Sequence, residues 1–175
     1  LTAAGVAVAP WRSAETEAEL ASAVAELGVP VIAKTARFGY DGKGQVRITD
    51  PADVAAVWEA LGGERLVVES VIAFDRELSV VVARGVDGDV VDHGVMENTH
   101  ANHILDTTTV PARVPDATAE AARATAHLVA TGLGLVGVLC VELFDTAEGI
   151  LVNEIAPRPH NSCLLYTSDA ADEAD

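Results

Sequence analysis

Apolar residues recur along this chain with two different periods, and the changes of period mark its elements. Leu20, Val24 and Leu27 repeat at helical spacing behind the capping pattern Thr16-x-x-Glu19, and Gly28 stops the run. Residues 29–34 and 45–48 read as strands. Asp50-Pro51 opens a second helix over 52–61, ended by Gly62-Gly63. An apolar strand over 66–72 follows, and then strands over 77–84 and 89–97 on either side of an Asp87-Gly88 turn. Residues 104–110 form a strand that Pro111 ends, and the Ala-rich stretch 116–131 forms a helix stopped by Gly132 and Gly134. Two apolar strands, 135–144 and 149–155, are joined by Asp145-Thr146-Ala147-Glu148. This order predicts an α+β protein with antiparallel sheets, dividing near Glu69 into a smaller front half and a larger back half.

Composition narrows the classes. The 175 residues carry 27 Asp plus Glu against 11 Lys plus Arg, a formal charge of -16. Nucleic acid and anionic membrane both require a basic face, so neither is an expected partner. The chain shows no membrane span and no signal peptide, which makes cytoplasm the expected location. Met96 is the only methionine, so Leu1 is expected to lie inside a longer chain. Cys140 and Cys163 fit neither a disulfide framework nor a zinc site and are expected to take no part in the chemistry.

Against that acidic background the two lysines stand out. Lys34 and Lys43 bracket Gly39-Tyr40-Asp41-Gly42-Lys43-Gly44-Gln45. Phosphate needs close backbone N–H groups and a compact mobile charge, which glycine and lysine supply. The stretch is neither a Walker A loop nor a dinucleotide fingerprint, because its flanks read as strands; the glycines sit at a hairpin tip able to fold over a ligand. The alternative is an ordinary hairpin turn with solvated lysines.

Glu142 and Glu154 interrupt the last two apolar strands. A turn centred near Glu148 sets them opposite one another on one face, where two ionised carboxylates repel unless a cation lies between them. Magnesium suits such a pair, since it takes few protein carboxylates and completes its shell with water and phosphate. A shifted register that sends one glutamate to solvent is the competing reading. Glu69 and Glu77 also stand beside apolar strands. If a nucleotide binds, Glu77 can accept ribose hydroxyls and the backbone of Glu69, Ser70, Val71 and Ile72 can meet adenine's edge; otherwise both are exposed strand residues. His100 and His103 lie in a polar island read as a surface loop, and His93 and His127 receive no role.

Together these blocks resemble the ATP-grasp superfamily and, within it, the family of N5-carboxyaminoimidazole ribonucleotide synthases. The resemblance rests on Lys34-Thr35, the 39–45 block, Glu69, Phe74-x-x-Glu77-Leu78-Ser79, Glu97-Asn98-x-His100, Val141-Glu142-Leu143-Phe144 and the run 153–162, in family order. It implies an ATP-grasp fold whose two α+β subdomains grip ATP: a small lid over 1–70 and a large subdomain over 71–162, with a tail over 163–175 that departs from the family and is expected to be disordered or artefactual.

The resemblance also implies roles. Lys34 and Gly39, Tyr40, Asp41, Gly42, Lys43, Gly44 and Gln45 hold the ATP phosphates. Glu69 to Ile72 form the adenine hinge, Glu77 binds ribose, and His100 and Asn153 lie at the nucleotide. Glu142 and Glu154 bind Mg²⁺, while Arg158, His160 and Asn161 face the acyl phosphate and the amine, with Arg158 and Lys43 as the catalytic cations. The implied reaction carboxylates aminoimidazole ribonucleotide with bicarbonate through carboxyphosphate, in purine synthesis, by a protein that is a homodimer at full length. Two alternatives are a different ATP-grasp ligase, such as the formate-using glycinamide ribonucleotide transformylase, and a nucleotide-binding module without catalysis.

Overall fold

In the computed structural model, which describes residues 1–2, 5–36, 44–101 and 104–163, the first helix begins at the predicted cap. The Thr16 hydroxyl accepts the Glu19 N–H at 3.2 Å, while the Glu19 carboxylate reaches back to the Glu15 N–H rather than to that of Thr16. Helix α1 (Glu17–Leu27) ends at Gly28, whose φ of 74° is a left-handed value open to glycine at little cost. Removing the cap with Thr16→Ala is expected to cost about 1 kcal/mol in urea denaturation.

Two units make up the chain: residues 9–72, and residues 1–8 together with 73–175. In the first, strands β1 (Trp11–Ala14), β2 (Val31–Thr35), β3 (Gln45–Ile48) and β4 (Leu66–Ser70) form an antiparallel sheet in the order β1-β4-β2-β3. The sequence reading has no β1, because three of its four residues are exposed and carry no alternation. The second predicted helix divides into a 3-10 turn (Pro51–Asp53) and α2 (Val54–Ala60), with the Asp50 carboxylate capping Ala52 N–H at 2.9 Å. Leu20, Val24, Val31, Ile48, Leu66 and Val68 make the core; fully burying a side chain of this size contributes about 1.5–3 kcal/mol.

The second unit holds a five-stranded antiparallel sheet in the order β7-β6-β5-β8-β9, from β5 (Arg76–Arg84), β6 (Val90–Ala101), β7 (Ile104–Thr109), β8 (Gly137–Thr146) and β9 (Gly149–Ala156). Helix α3 (Asp116–Gly132) packs on one face through Ala122, Ala126, Val129 and Ala130, whose small side chains let the helix lie close on Leu78, Val80, Val82, Leu139, Val141 and Leu143. Side chains alternate along a strand, so residues at the intervening positions, among them Ser79, Val81, Cys140 and Glu142, belong to the opposite face. There Val81, Met96, Cys140 and Ala156 form a separate small cluster. One expectation is corrected here: Asn98 to His100 are not in a loop, since β6 continues to Ala101 through a polar composition that hid the strand. No helix among the described residues is long and apolar enough to cross a membrane.

A charged clamp fastens α3 to the sheet. Asp92 of β6, its side chain only 3 % exposed, accepts hydrogen bonds from Arg123, His127 and the Gly94 N–H. Burial raises its pKa, but the Arg123 hydrogen bond, the Gly94 N–H and His127 outweigh it and bring the carboxyl down to about 2. A depressed carboxyl pKa contributes stability that is complete above the unfolded value near 4 and fades as pH falls toward 2. Because Arg123 opens to solvent, the contribution is about 1 kcal/mol after screening. The stability difference between wild type and Asp92→Asn in urea titrations is therefore expected to be present at pH 6 and to shrink below pH 4.

Candidate functional site

The site grows from the β8/β9 hairpin. Its turn is Ala147-Glu148, with Thr146 paired to Gly149 and Leu143 to Val152. Continued without interruption, that register sets Glu142 opposite Asn153. A bulge between Glu142 and Leu143 instead brings Glu154 opposite Glu142. The two carboxylates are thus cross-strand partners on one face, as the sequence reading expects, but through the bulge rather than through a turn centred on Glu148. Like charges in direct opposition destabilise a sheet, so the bulge holds an arrangement that favours a cation.

Glu142 is the more enclosed of the two. Its Oε1 lies 2.8 Å from His160 Nε2. The His160 hydrogen bond holds its pKa below the usual carboxylate range against the opposing effect of burial, with positive charge from His160, His100 and Arg158 adding to it. Hydrogen bonds to the Cys140 sulfur and to Glu142 push His160 up to about 10, against the opposing effect of burial. Its Nδ1 meets Ser162 Oγ at 2.9 Å, and the Ser162 N–H donates a longer hydrogen bond to the same nitrogen at 3.4 Å. His160 itself is 9 % exposed. It is engaged with Glu142 and Ser162, whereas the resemblance sets it facing substrate.

Farther along the same unit, Glu77 and Asn98 are cross-strand partners and the Glu77 carboxylate is bonded to His100 Nδ1. Both line an open cavity of about 310 Å³, with Phe74, Asp75, Arg76, Glu97, Asn98 and Thr99. Phe74 stacks on Phe144 at 4.5 Å between ring centroids, with the rings 5° from parallel, which fixes one wall. Arg158 is exposed, its guanidinium donating to the Pro159 carbonyl at 3.0 Å, and exposed Asn161 opens the 3-10 turn Asn161–Cys163. Asn153 lies beside the bulge on β9, partly buried.

In the unit of residues 9–72, Lys34 Nζ and Glu69 form an ion pair at 2.6 Å, across a register that sets Lys34 opposite Val67 and Ile32 opposite Glu69. Gly44 and Gln45 line an open cavity of about 530 Å³. The N–H groups of Ser70 and Val71 donate to the Pro10 and Pro30 carbonyls, and Ile72 is partly buried at the unit's end. Gly39, Tyr40, Asp41, Gly42, Lys43 and His103 lie outside the described residues, as does the tail from 164 onward.

Sequence reasoning passed over a line of hydrogen bonds. Thr108 Oγ1 donates to Asn98 Oδ1 (3.1 Å), Asn98 Nδ2 to Ser79 Oγ (2.9 Å), and Ser79 Oγ to Ser162 Oγ (3.1 Å), which meets His160. Cys140, expected to be uninvolved, has its sulfur 3.9 Å from Ser162 Oγ. Among the described residues no group of three or more His, Cys, Asp and Glu side chains is arranged to hold a metal by itself. The all-oxygen pair Glu142 and Glu154 fits a hard cation that takes its other ligands from water and phosphate, so the donor chemistry suits Mg²⁺.

Comparison with known proteins meets this geometry. The chain is 44% identical over 163 residues to the N5-carboxyaminoimidazole ribonucleotide synthase of Bacillus subtilis, an alignment covering 93% of this chain and 43% of that protein. A crystal structure of an ADP complex of an N5-carboxyaminoimidazole ribonucleotide synthetase superposes with a TM-score of 0.84 at 43% identity, over 91% of this chain and 42% of that one. The Aspergillus clavatus enzyme, crystallised with ADP and 5-aminoimidazole ribonucleotide, superposes with a TM-score of 0.78 at 30% identity, over 90% of this chain and 42% of that one. The chain thus spans less than half the length of these relatives. The model of the ATP-grasp domain matches residues 1–174, and with the two-sheet α+β architecture this makes the chain a member of the ATP-grasp family.

Proposed function

We propose that this chain is the ATP-grasp portion of a cytoplasmic, homodimeric enzyme that carboxylates 5-aminoimidazole ribonucleotide with bicarbonate at the expense of ATP. The observation that carries this reading is the Glu142/Glu154 pair, held in opposition by a bulge in a chain 44% identical to a synthase of that name.

In the proposed reaction a bicarbonate oxygen attacks the γ-phosphorus, ADP leaves, and carboxyphosphate forms. The ribonucleotide's amine then attacks the carboxyl carbon, phosphate leaves, and the nitrogen gives up a proton. Lys34 and Lys43, with the backbone of 39–45, hold the polyphosphate, and the Lys34–Glu69 ion pair keeps that ammonium in place before nucleotide arrives. Residues 69–72 meet adenine and Glu77 takes the ribose, its carboxylate oriented by His100. Asn153 lies at the nucleotide beside Glu154. Glu142 and Glu154 would hold Mg²⁺, which would supply charge neutralisation on the phosphate oxygens. Arg158 and Asn161 take the acyl phosphate and the amine; His160 serves the same end by holding Glu142. Phosphoryl transfer asks for positioning and electrostatics, so no nucleophilic side chain is required. In this reading the lid expected over 1–70 is the unit of residues 9–72, and the larger subdomain expected over 71–162 also takes in residues 1–8.

Phosphate release by the intact protein decides it. Stimulation by bicarbonate with aminoimidazole ribonucleotide is expected; stimulation only by formate with glycinamide ribonucleotide overturns the assignment. Lys43→Ala is expected to weaken ATP binding about 10- to 100-fold with an unchanged melting temperature, read by calorimetry, since loss of a charged hydrogen bond costs about 1.5–3 kcal/mol.

A further inference from the structure

Apart from the enclosed Asp92 side chain of the α3 clamp, the buried polar or charged residues among those described are Ser79, Asn98, His160 and Ser162. All four lie on one line of hydrogen bonds, and it ends at Glu142. Around them the interior is built from Val, Leu, Ile and Ala, with Met96 and Cys140. A buried hydroxyl or amide adds little net stability even when fully bonded, and an apolar side chain of similar shape serves a core equally well. Nor do these side chains serve the sheet: Ser79 and Asn98 already sit in the β5/β6 ladder through their backbones. Their expense has its outlet at the far end.

Each member is directional. The Asn98 amide is anchored at its oxygen by Thr108 and donates from its nitrogen to Ser79. With that lone pair taken, the Ser79 proton goes to Ser162, 83 residues away in sequence. Ser162, accepting from Ser79, meets His160 Nδ1 with its hydroxyl, and Nε2 meets Glu142 Oε1. With Oε1 taken, Oε2 is the oxygen that Glu142 offers a cation. Groups that orient a metal ligand from behind typically change metal affinity 10–100-fold when removed.

We propose that Ser79, fixed by Asn98 and acting through Ser162 and His160, is a positioning residue that sets how Glu142 presents its carboxylate to the divalent ion. The inference rests on the functional reading above. Mn²⁺ binding to the intact protein, followed by electron paramagnetic resonance at saturating ADP, tests it with wild type, Ser79→Ala, Ser162→Ala and the double variant. Ser79→Ala is expected to bind Mn²⁺ at least about tenfold more weakly, while ADP affinity measured in EDTA stays at the wild-type value. The double variant is expected to be no weaker than the worse single one, because both break the same line. Wild-type Mn²⁺ affinity in Ser79→Ala overturns the inference and leaves the function standing. Equal weakening of Mn²⁺ binding and metal-free ADP binding marks a merely structural role and also overturns it. Absence of ADP-dependent Mn²⁺ binding in wild type removes the functional reading and this inference with it.

Discussion

Glu154→Gln is expected to lower Mg²⁺-dependent phosphate release by about a thousandfold or more while leaving the fold intact. Glu154 is exposed and its side chain packs in neither core, so the stability change should stay within about 0.5 kcal/mol. It also stands directly opposite Glu142, where loss of one negative charge relieves repulsion. On the proposed function, the same change removes half of the carboxylate pair that would hold Mg²⁺. Preorganised charge stabilisation of phosphoryl transfer is worth several kcal/mol, and single donors alone are worth about 10²–10³ in rate. Steady-state phosphate release across a Mg²⁺ titration, with a thermal melt beside it, checks both halves. A melting temperature that falls in step with activity contradicts the assignment, as does activity that survives.

The opposite signature is expected one residue away from Glu142. Leu143 is 1 % exposed, packs in the α3-facing core, and pairs with Val152 at the edge of the bulge. Leu143→Ala removes buried methyl groups and leaves a cavity, a change that costs about 2–5 kcal/mol. At about 2–4 °C per kcal/mol for a chain of this size, the melting temperature should fall by roughly 5–20 °C. Below the transition, ADP affinity should stay near wild type, because Leu143 lies on the face away from Glu142 and Glu154. Differential scanning calorimetry with and without ADP reads both quantities.

The contrast between these neighbours shows how much the sequence carries. The reading of 135–155 picked out Glu142 and Glu154 as charges that interrupt apolar strands. It also expected their pairing, though the reason lay elsewhere. The turn falls between Ala147 and Glu148, which alone sets Glu142 against Asn153, and one bulge restores Glu154. A bulge leaves little trace in composition, so its position was not legible. Capping chemistry is local and was read at Thr16 and Asp50. Strand β1 was missed because it lies at a sheet edge, largely exposed. The end of β6 was missed because Glu97, Asn98, Thr99 and His100 resemble a loop until the neighbouring strands are in place. The line from Asn98 to Glu142 draws on β6, β5, β8 and the segment after β9. Such a line has no local signal; the only hint was Ser79 in an otherwise apolar stretch of β5.

The central claim is that the bulge-aligned glutamates hold the divalent ion of a bound nucleotide. Anomalous diffraction from crystals of the intact protein grown with Mn²⁺ and a non-hydrolysable ATP analogue tests it most directly. The account predicts a manganese peak within bonding distance of carboxylate oxygens of both Glu142 and Glu154, with nucleotide phosphate completing the shell. A peak bound elsewhere, or nucleotide density without metal at that pair, would contradict it.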